Sequence, residues 1–251
     1  MTTYTNQRAF DKLTSAKYQM VRKFPFFAHI ALSVEMVEAP NMRPPTMATD
    51  MVKMYYHPQF VIDCTMSELI GTIVHECCHI AWLHGSRRGD RDMRIWNMAC
   101  DYAINPAVLD AGCALPGFGL YEDKFRNMTA QAIYAQLMKD QKKIDELLSK
   151  MPTIVLSNDG KEGDDGDGNS QGEGQGQGGK DIIHGGVIDT SQLVGEDGRQ
   201  ITINEIEHNI QMRVAAAAQT AKSIGKMPQG FDGLITAMGK PVVNWHDYIH
   251  L

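Results

Sequence analysis

Residues 65–84 read TMSELIGTIVHECCHIAWLH, and this stretch decides the fold. Leu69, Ile70, Ile73, Val74, Cys77, Cys78, Ile80, Ala81 and Leu83 make it apolar nearly all round. At helical spacing that pattern predicts a buried helix rather than a surface one. Thr65 or Ser67 can cap it, and Glu68 follows at capping-box spacing from Thr65. In its middle lies His75-Glu76-Cys77-Cys78-His79, an H-E-x-x-H motif. Side chains four apart stack on one helical face, so two imidazoles can converge on one cation at about 2.0–2.1 Å. Glu76 sits one step round the helix, placed to face a metal-activated water as a general base. Chance gives about 0.01 such motifs in a chain of this composition. Burying two imidazoles and a carboxylate as plain core residues, with no ion between them, would be costly.

Zinc in a catalytic site takes three protein ligands and leaves a fourth position for water. His84 lies five residues past His79, roughly 140° round the helix, and could bind only if the helix ended first. The H-E-x-x-H-x-x-G-x-x-H pattern fails, because position 82 is Trp and position 85 is Gly. Asp92 belongs to a charged loop over 85–94. Asp101 follows on a helical run over 95–104, before Pro106, and is flanked by apolar Met98, Ala99 and Ile104. A carboxylate on an apolar face asks for a partner. That partner is either the metal or the N–H of a ligand imidazole.

Upstream, residues 5–23 read as an amphipathic helix closed by Pro25. Residues 26–37 are rich in aromatic and β-branched side chains and read as a strand, and 46–56 as a hairpin turning near Asp50. Downstream, 129–148 reads as a helix, and Thr202 with Glu205 opens a long helix to about residue 224, stopped by Gly225 and Pro228. Residues 157–180 are Gly, Asp, Gln and Glu with almost nothing apolar, so they are expected to form a flexible insertion. An EF-hand reading of Asp165, Asp167 and Asn169 fails, since the twelfth position is Gly176. Short turns are expected around Gly239, Lys240, Pro241 and Trp245. A single domain over 1–251 is the expected organisation.

Of the 251 residues, 43% are hydrophobic and 22% charged, with a net charge of −6. No basic stripe recurs, and the cluster from Arg87-Arg88 to Arg94 reads as a solvated, salt-bridged loop, so nucleic acid is not an expected partner. No run of about 18 apolar residues offers a membrane span, and the first residues lack a signal-peptide core. Cys64, Cys77, Cys78, Cys100 and Cys113 are an odd set without secretory spacing, which points to reduced thiols and a cytoplasmic location.

The stretches TMATDMVKMYYHPQF (46–60), ELIGTIVHECCHIAWLHGSRR (68–88), WNMACDYAINPAVL (96–109) and LPGFGLYEDKFRNMTAQAIYAQL (115–137) resemble a family of bacterial and phage metallopeptidase domains often found upstream of a von Willebrand A-like domain. GKMPQGFDGLI (225–235) and KPVVNWHDYI (240–249) are similar to that family's segment leading into the second domain. The resemblance implies an α+β, zincin-like fold: a small twisted sheet, an active-site helix and a mostly helical C-terminal part. It implies zinc held by His75, His79 and Asp101, the last in a W-N-x-A-x-D-Y motif, with Glu76 as the base. The family commonly has Gly after the Asp of T-D-G, where this chain has Met51. Peptide-bond hydrolysis follows as the expected reaction, on a peptide or protein that could add as a strand to a sheet edge within 26–56. Tyr121, Tyr102, His84 and Arg94 are unranked candidates for an oxyanion donor. The rival expectation is a catalytically silent, zinc-stabilised module that binds an ATPase, a von Willebrand A-like domain or a host factor; Glu76 argues against it, because a purely structural site has no need of that carboxylate.

Overall fold

The computed structural model describes residues 6–115, 119–150, 154–157, 180–183, 201–228 and 231. The acidic insertion between residues 158 and 179 and the expected turns around 239–245 lie outside the described residues.

The chain opens with helix α1 (Gln7–Lys23), capped by the Asn6 side chain on the Ala9 N–H and burying Ala9, Leu13, Ala16 and Met20. Helix α2 (Pro25–Leu32) follows at once, which corrects the expected strand over 26–37. Phe26, Phe27 and Ile30 favour a strand locally, but Pro25 at the first helical position presets φ. As a helix the segment also buries Pro25, Phe26, Phe27, Ala28, Ile30 and Ala31 together. Six buried residues in eight outweigh a β preference that spans only about 1 kcal/mol.

Only the tail of that segment is extended. Strands β1 (Glu35–Glu38), β2 (Met47–Thr49) and β3 (Lys53–Tyr56) form a mixed sheet in the order β1-β3-β2. β1 runs parallel to β3, and β2 antiparallel to it. The expected hairpin near Asp50 is present. Its turn places Met51 at φ 73 with the side chain fully buried. Thr49 Oγ1 accepts from the Met51 N–H at 3.0 Å, and Asp50 Oδ1 accepts from the Val52 and Lys53 N–H groups.

Helix α3 (Pro58–Asp63) leads to α4 (Met66–Ala81), whose capping box between Thr65 and Glu68 is complete. Its buried positions run from Leu69 to Ala81, so the expected buried helix is present. It packs on α1, α2, β2 and α5 (Met93–Asp110). One close approach depends on glycine: a Cβ at Gly71 would sit 1.6 Å from the Ala114 carbonyl oxygen. Helix α5 runs past Pro106, against the expectation that it stops there. Ile104, Asn105 and Val108 are all buried, and their packing outweighs the roughly 3 kcal/mol that an interior proline costs.

A 3-10 turn (Asp123–Phe125) precedes α6 (Ala130–Leu137) and α7 (Gln141–Lys150). The single helix expected over 129–148 is therefore two, with Asp140 capping the second through the Lys143 N–H. Strands β4 (Ile154–Ser157) and β5 (Lys180–Ile183) pair antiparallel, setting Ser157 opposite Lys180. The long helix α8 (Ile203–Ser223) carries the expected capping box, ends before Gly225 at φ 66, and packs along α2. The main core collects α1, α2, the sheet, α4 and α8. A second core lies between α5, α6 and α7, around Met98, Tyr102, Phe125 and Ile133. Helix α5 is the wall between them, contributing Ile104 and Val108 to the first and Ile95, Met98, Ala99 and Tyr102 to the second. The result is a mostly helical α+β architecture. No helix among the described residues is long and apolar enough to cross a membrane.

Candidate metal centre

His75 and His79, one turn apart on α4, bring their Nε2 atoms to 2.9 Å. Asp101 reaches them from α5, with Oδ1 3.5 Å from His75 Nε2 and 3.2 Å from His79 Nε2. These are the three residues that could hold a metal ion among those described. A tetrahedral ion with ligand bonds of about 2.0–2.1 Å needs its donors roughly 3.3 Å apart. The triangle of 2.9, 3.2 and 3.5 Å straddles that value.

The hydrogen bonds behind the imidazoles decide which nitrogen carries the lone pair. Asn105 Nδ2 donates to the Leu120 carbonyl at 2.7 Å, which turns its Oδ1 towards His75. His75 Nδ1 meets that oxygen at 2.7 Å. An amide oxygen only accepts, so Nδ1 of His75 carries a proton and Nε2 is the nitrogen turned to the triangle, where a bound ion would displace any proton it holds. His79 Nδ1 lies 3.1 Å from Nδ1 of His84, again leaving Nε2 for the triangle.

His84 arrives there because α4 ends early. The sequence predicts helix through residue 84, but the last helical residue is Ala81. Leu83 takes φ 57, its N–H bonds the Ile80 carbonyl, and the His84 N–H bonds the His79 carbonyl at 3.1 Å. This is a Schellman stop with leucine where glycine is usual. The left-handed leucine costs roughly 1–2 kcal/mol, against which its side chain is buried. His84 thus curls back behind His79, not into the triangle. Its carbonyl accepts from Trp96 Nε1 at 2.8 Å, tying the end of α4 to the start of α5. Arg91 stacks over Trp96 and Tyr134, and its guanidinium donates to the Arg87 and Arg88 carbonyls, so the connecting loop is held by carbonyls and rings.

Charge in the cluster follows from burial and proximity. Burial raises Asp101 towards neutrality, but the two imidazoles outweigh it and hold the carboxyl well below its usual range. Burial opposes a charge on His75, yet Asp101, Glu76 and Asn105 together lift it to about 9. Burial, against the pull of Asp101, presses His79 down to about 4. An ionised carboxylate facing two ring nitrogens calls for a positive charge at their centre. Asp101 Oδ1 accepts no hydrogen bond although it is buried. His75 and Asp101 keep side-chain exposures of 14% and 12%, so the triangle is open on one side.

Glu76 is 2% exposed, and its Oε2 has no hydrogen-bond partner. Burial raises its carboxyl to about 8, lowered somewhat by His75 and raised by Asp101. The other candidates lie elsewhere. Asp92 Oδ1 accepts from the Ile95 N–H as the cap of α5. Tyr102 donates to Glu122, Tyr121 to Asp123, and Arg94 to the Leu148 carbonyl. Asn105 is the residue that sequence reasoning missed. Its signal was its place four residues after Asp101, on the same face of α5.

A family model described as "Putative metallopeptidase domain" matches residues 9–250. A protein of Thermotoga maritima described as "Uncharacterized protein" is 27% identical over 103 residues, covering 39% of this chain. The chain spans only 26% of that protein's length. No solved structure matches. With the family match running over nearly its whole length, and two histidines and an aspartate gathered as one possible metal site, the chain belongs to this metallopeptidase-domain family.

Proposed function

We propose that the chain is a zinc-dependent peptidase, a single zincin-like domain in which His75, His79 and Asp101 hold the ion and Glu76 is the general base. The observation that carries the reading is the buried Glu76 side chain, whose Oε2 has no hydrogen-bond partner, beside a triangle of three atoms that could bind a metal. Two imidazoles and one carboxylate are a donor set that zinc favours. A bound zinc supplies Lewis acidity, polarising a carbonyl and lowering the pKa of a water to about 7. Glu76, buried beside the triangle with its Oε2 unpartnered, would take the proton of that attacking water and pass it to the leaving amine. Asp101 keeps its charge through the cycle and limits the positive charge of the site. The open side at His75 and Asp101 lets a peptide reach the centre. Five free cysteines fit a reducing, cytoplasmic setting. A von Willebrand A-like or ATPase partner is the proposed context.

Glu76→Gln tests the reading on peptide-library substrates cleaved by the wild type. The variant should keep one zinc per chain and its fold while hydrolysis falls about 10²–10⁴-fold. Cleavage at the wild-type rate would remove Glu76 as the base. A wild type that holds zinc through a fourth protein ligand and cleaves nothing would be a zinc-stabilised binding module instead.

A further inference from the structure

The two candidate ligand imidazoles are backed by neutral groups. Asn105 stands behind His75 at 2.7 Å and His84 behind His79 at 3.1 Å. Both are buried, at 1% and 2% exposure, and each is fixed by a further bond. Asn105 donates to the Leu120 carbonyl, and His84 is anchored by its N–H on the His79 carbonyl and by its own carbonyl on Trp96. Neither residue belongs to the triangle, so neither is explained as a ligand. We infer that Asn105 and His84 are positioning residues, each taking the Nδ1 proton of one imidazole so that both Nε2 lone pairs meet on the same cation. This rests on the metal-site reading and deepens it.

The chemistry is specific. A neutral imidazole donates from one nitrogen and accepts at the other, and the bond made by Nδ1 selects the tautomer. If Asn105 or His84 were apolar, the ring behind it would be free to carry its proton on Nε2, facing the other ring 2.9 Å away. The neutral character of the partners matters too. A carboxylate in that place would raise the basicity of the ligand, whereas an amide oxygen and an imidazole fix orientation without adding negative charge. Asp101 is then the one anionic group within the triangle itself.

The full-length protein is titrated with Co²⁺ as a visible probe, and zinc affinity is read by chelator competition. His84→Leu and Asn105→Leu should each weaken metal affinity about 10–100-fold and alter the cobalt absorption bands. His84→Gln and Asn105→Gln, which restore a neutral acceptor, should recover most of the loss. Nitrogen-15 spectra of the zinc-loaded wild type should show His75 and His79 both protonated at Nδ1 and metal-bound through Nε2, a readout that needs no variant to fold. Unchanged cobalt spectra and affinities in both leucine variants, or an Nε2 proton on either ring of the loaded wild type, would overturn the inference while leaving the metal site standing. A wild type that takes up neither cobalt nor zinc would overturn the metal reading and this inference with it.

Discussion

At the scale of single residues, the two imidazoles of the triangle are held by what lies behind them. The H-E-x-x-H spacing was legible, since helical periodicity alone brings His75 and His79 together. Asp101 was legible as a carboxylate on an apolar face. Asn105 and the place of His84 were not, because the first needs the Leu120 carbonyl and the second needs a left-handed leucine that no propensity scale favours. The same balance of strain against burial applies at Met51, left-handed but fully buried. Met51→Gly relieves about 1–2 kcal/mol of strain but gives up a buried side chain worth about 2–5 kcal/mol. Chemical denaturation should therefore show the glycine variant less stable by roughly 2 kcal/mol once the added chain entropy is included; a gain in stability would show that strain outweighs packing there.

At the scale of elements, two helices position the site, and each departs at one end from what its local sequence predicts. Helix α4 stops three residues early through its Schellman turn, and α5 continues through Pro106 because its flanking residues are buried. Propensity reads the chain locally, whereas both outcomes are decided by packing between elements. Helix α2 is the clearest case: a β-like segment folds as a helix because its neighbours cover six of its eight residues. The contact that fixes α4 against the exit of α5 is Gly71 under Ala114. Gly71→Ala should cost about 2–3 kcal/mol through forced backbone movement and weaken metal binding in parallel; an unperturbed melting curve would contradict it. Glu122 links three elements, accepting from Tyr102 of α5 and pairing with Lys124 and Lys143. Burial raises it, but these partners together outweigh burial and hold its carboxyl at about 2 against an ordinary 4.5. A folded-state value below the unfolded one contributes stability present above pH 4.5 and lost as the pH falls towards 2. Glu122→Gln should lie below wild type in stability at neutral pH, with the two acid-unfolding curves converging near pH 2; parallel curves throughout would refute the link.

At the scale of the whole molecule, the site is a seam. His75 and His79 sit on α4, whose apolar side chains belong to the main core, while Asp101 sits on the helix that also walls the second core. An ion held there, as proposed, would fasten the two cores, and its removal would leave an ionised carboxylate facing two ring nitrogens. Mass action gives about 4 kcal/mol of stabilisation at a thousandfold excess over the dissociation constant, or about 10 °C in melting temperature for a chain of this size. A chelator should lower the melting temperature by that order, and added zinc should restore it. The capping boxes and the pairing of His75 with His79 could be read from periodicity and spacing, and the α+β class from the family resemblance; the joining of two cores at α5 could not, because it depends on which face of α6 and α7 meets Tyr102 and Met98.

The most direct test is diffraction from zinc-loaded crystals recorded on both sides of the zinc absorption edge. The account predicts one anomalous peak per chain, bound by His75 Nε2, His79 Nε2 and Asp101, with the remaining position free of protein ligands and facing Glu76. A peak bound by His84 in place of Asp101, or no peak between the two histidines, would contradict it.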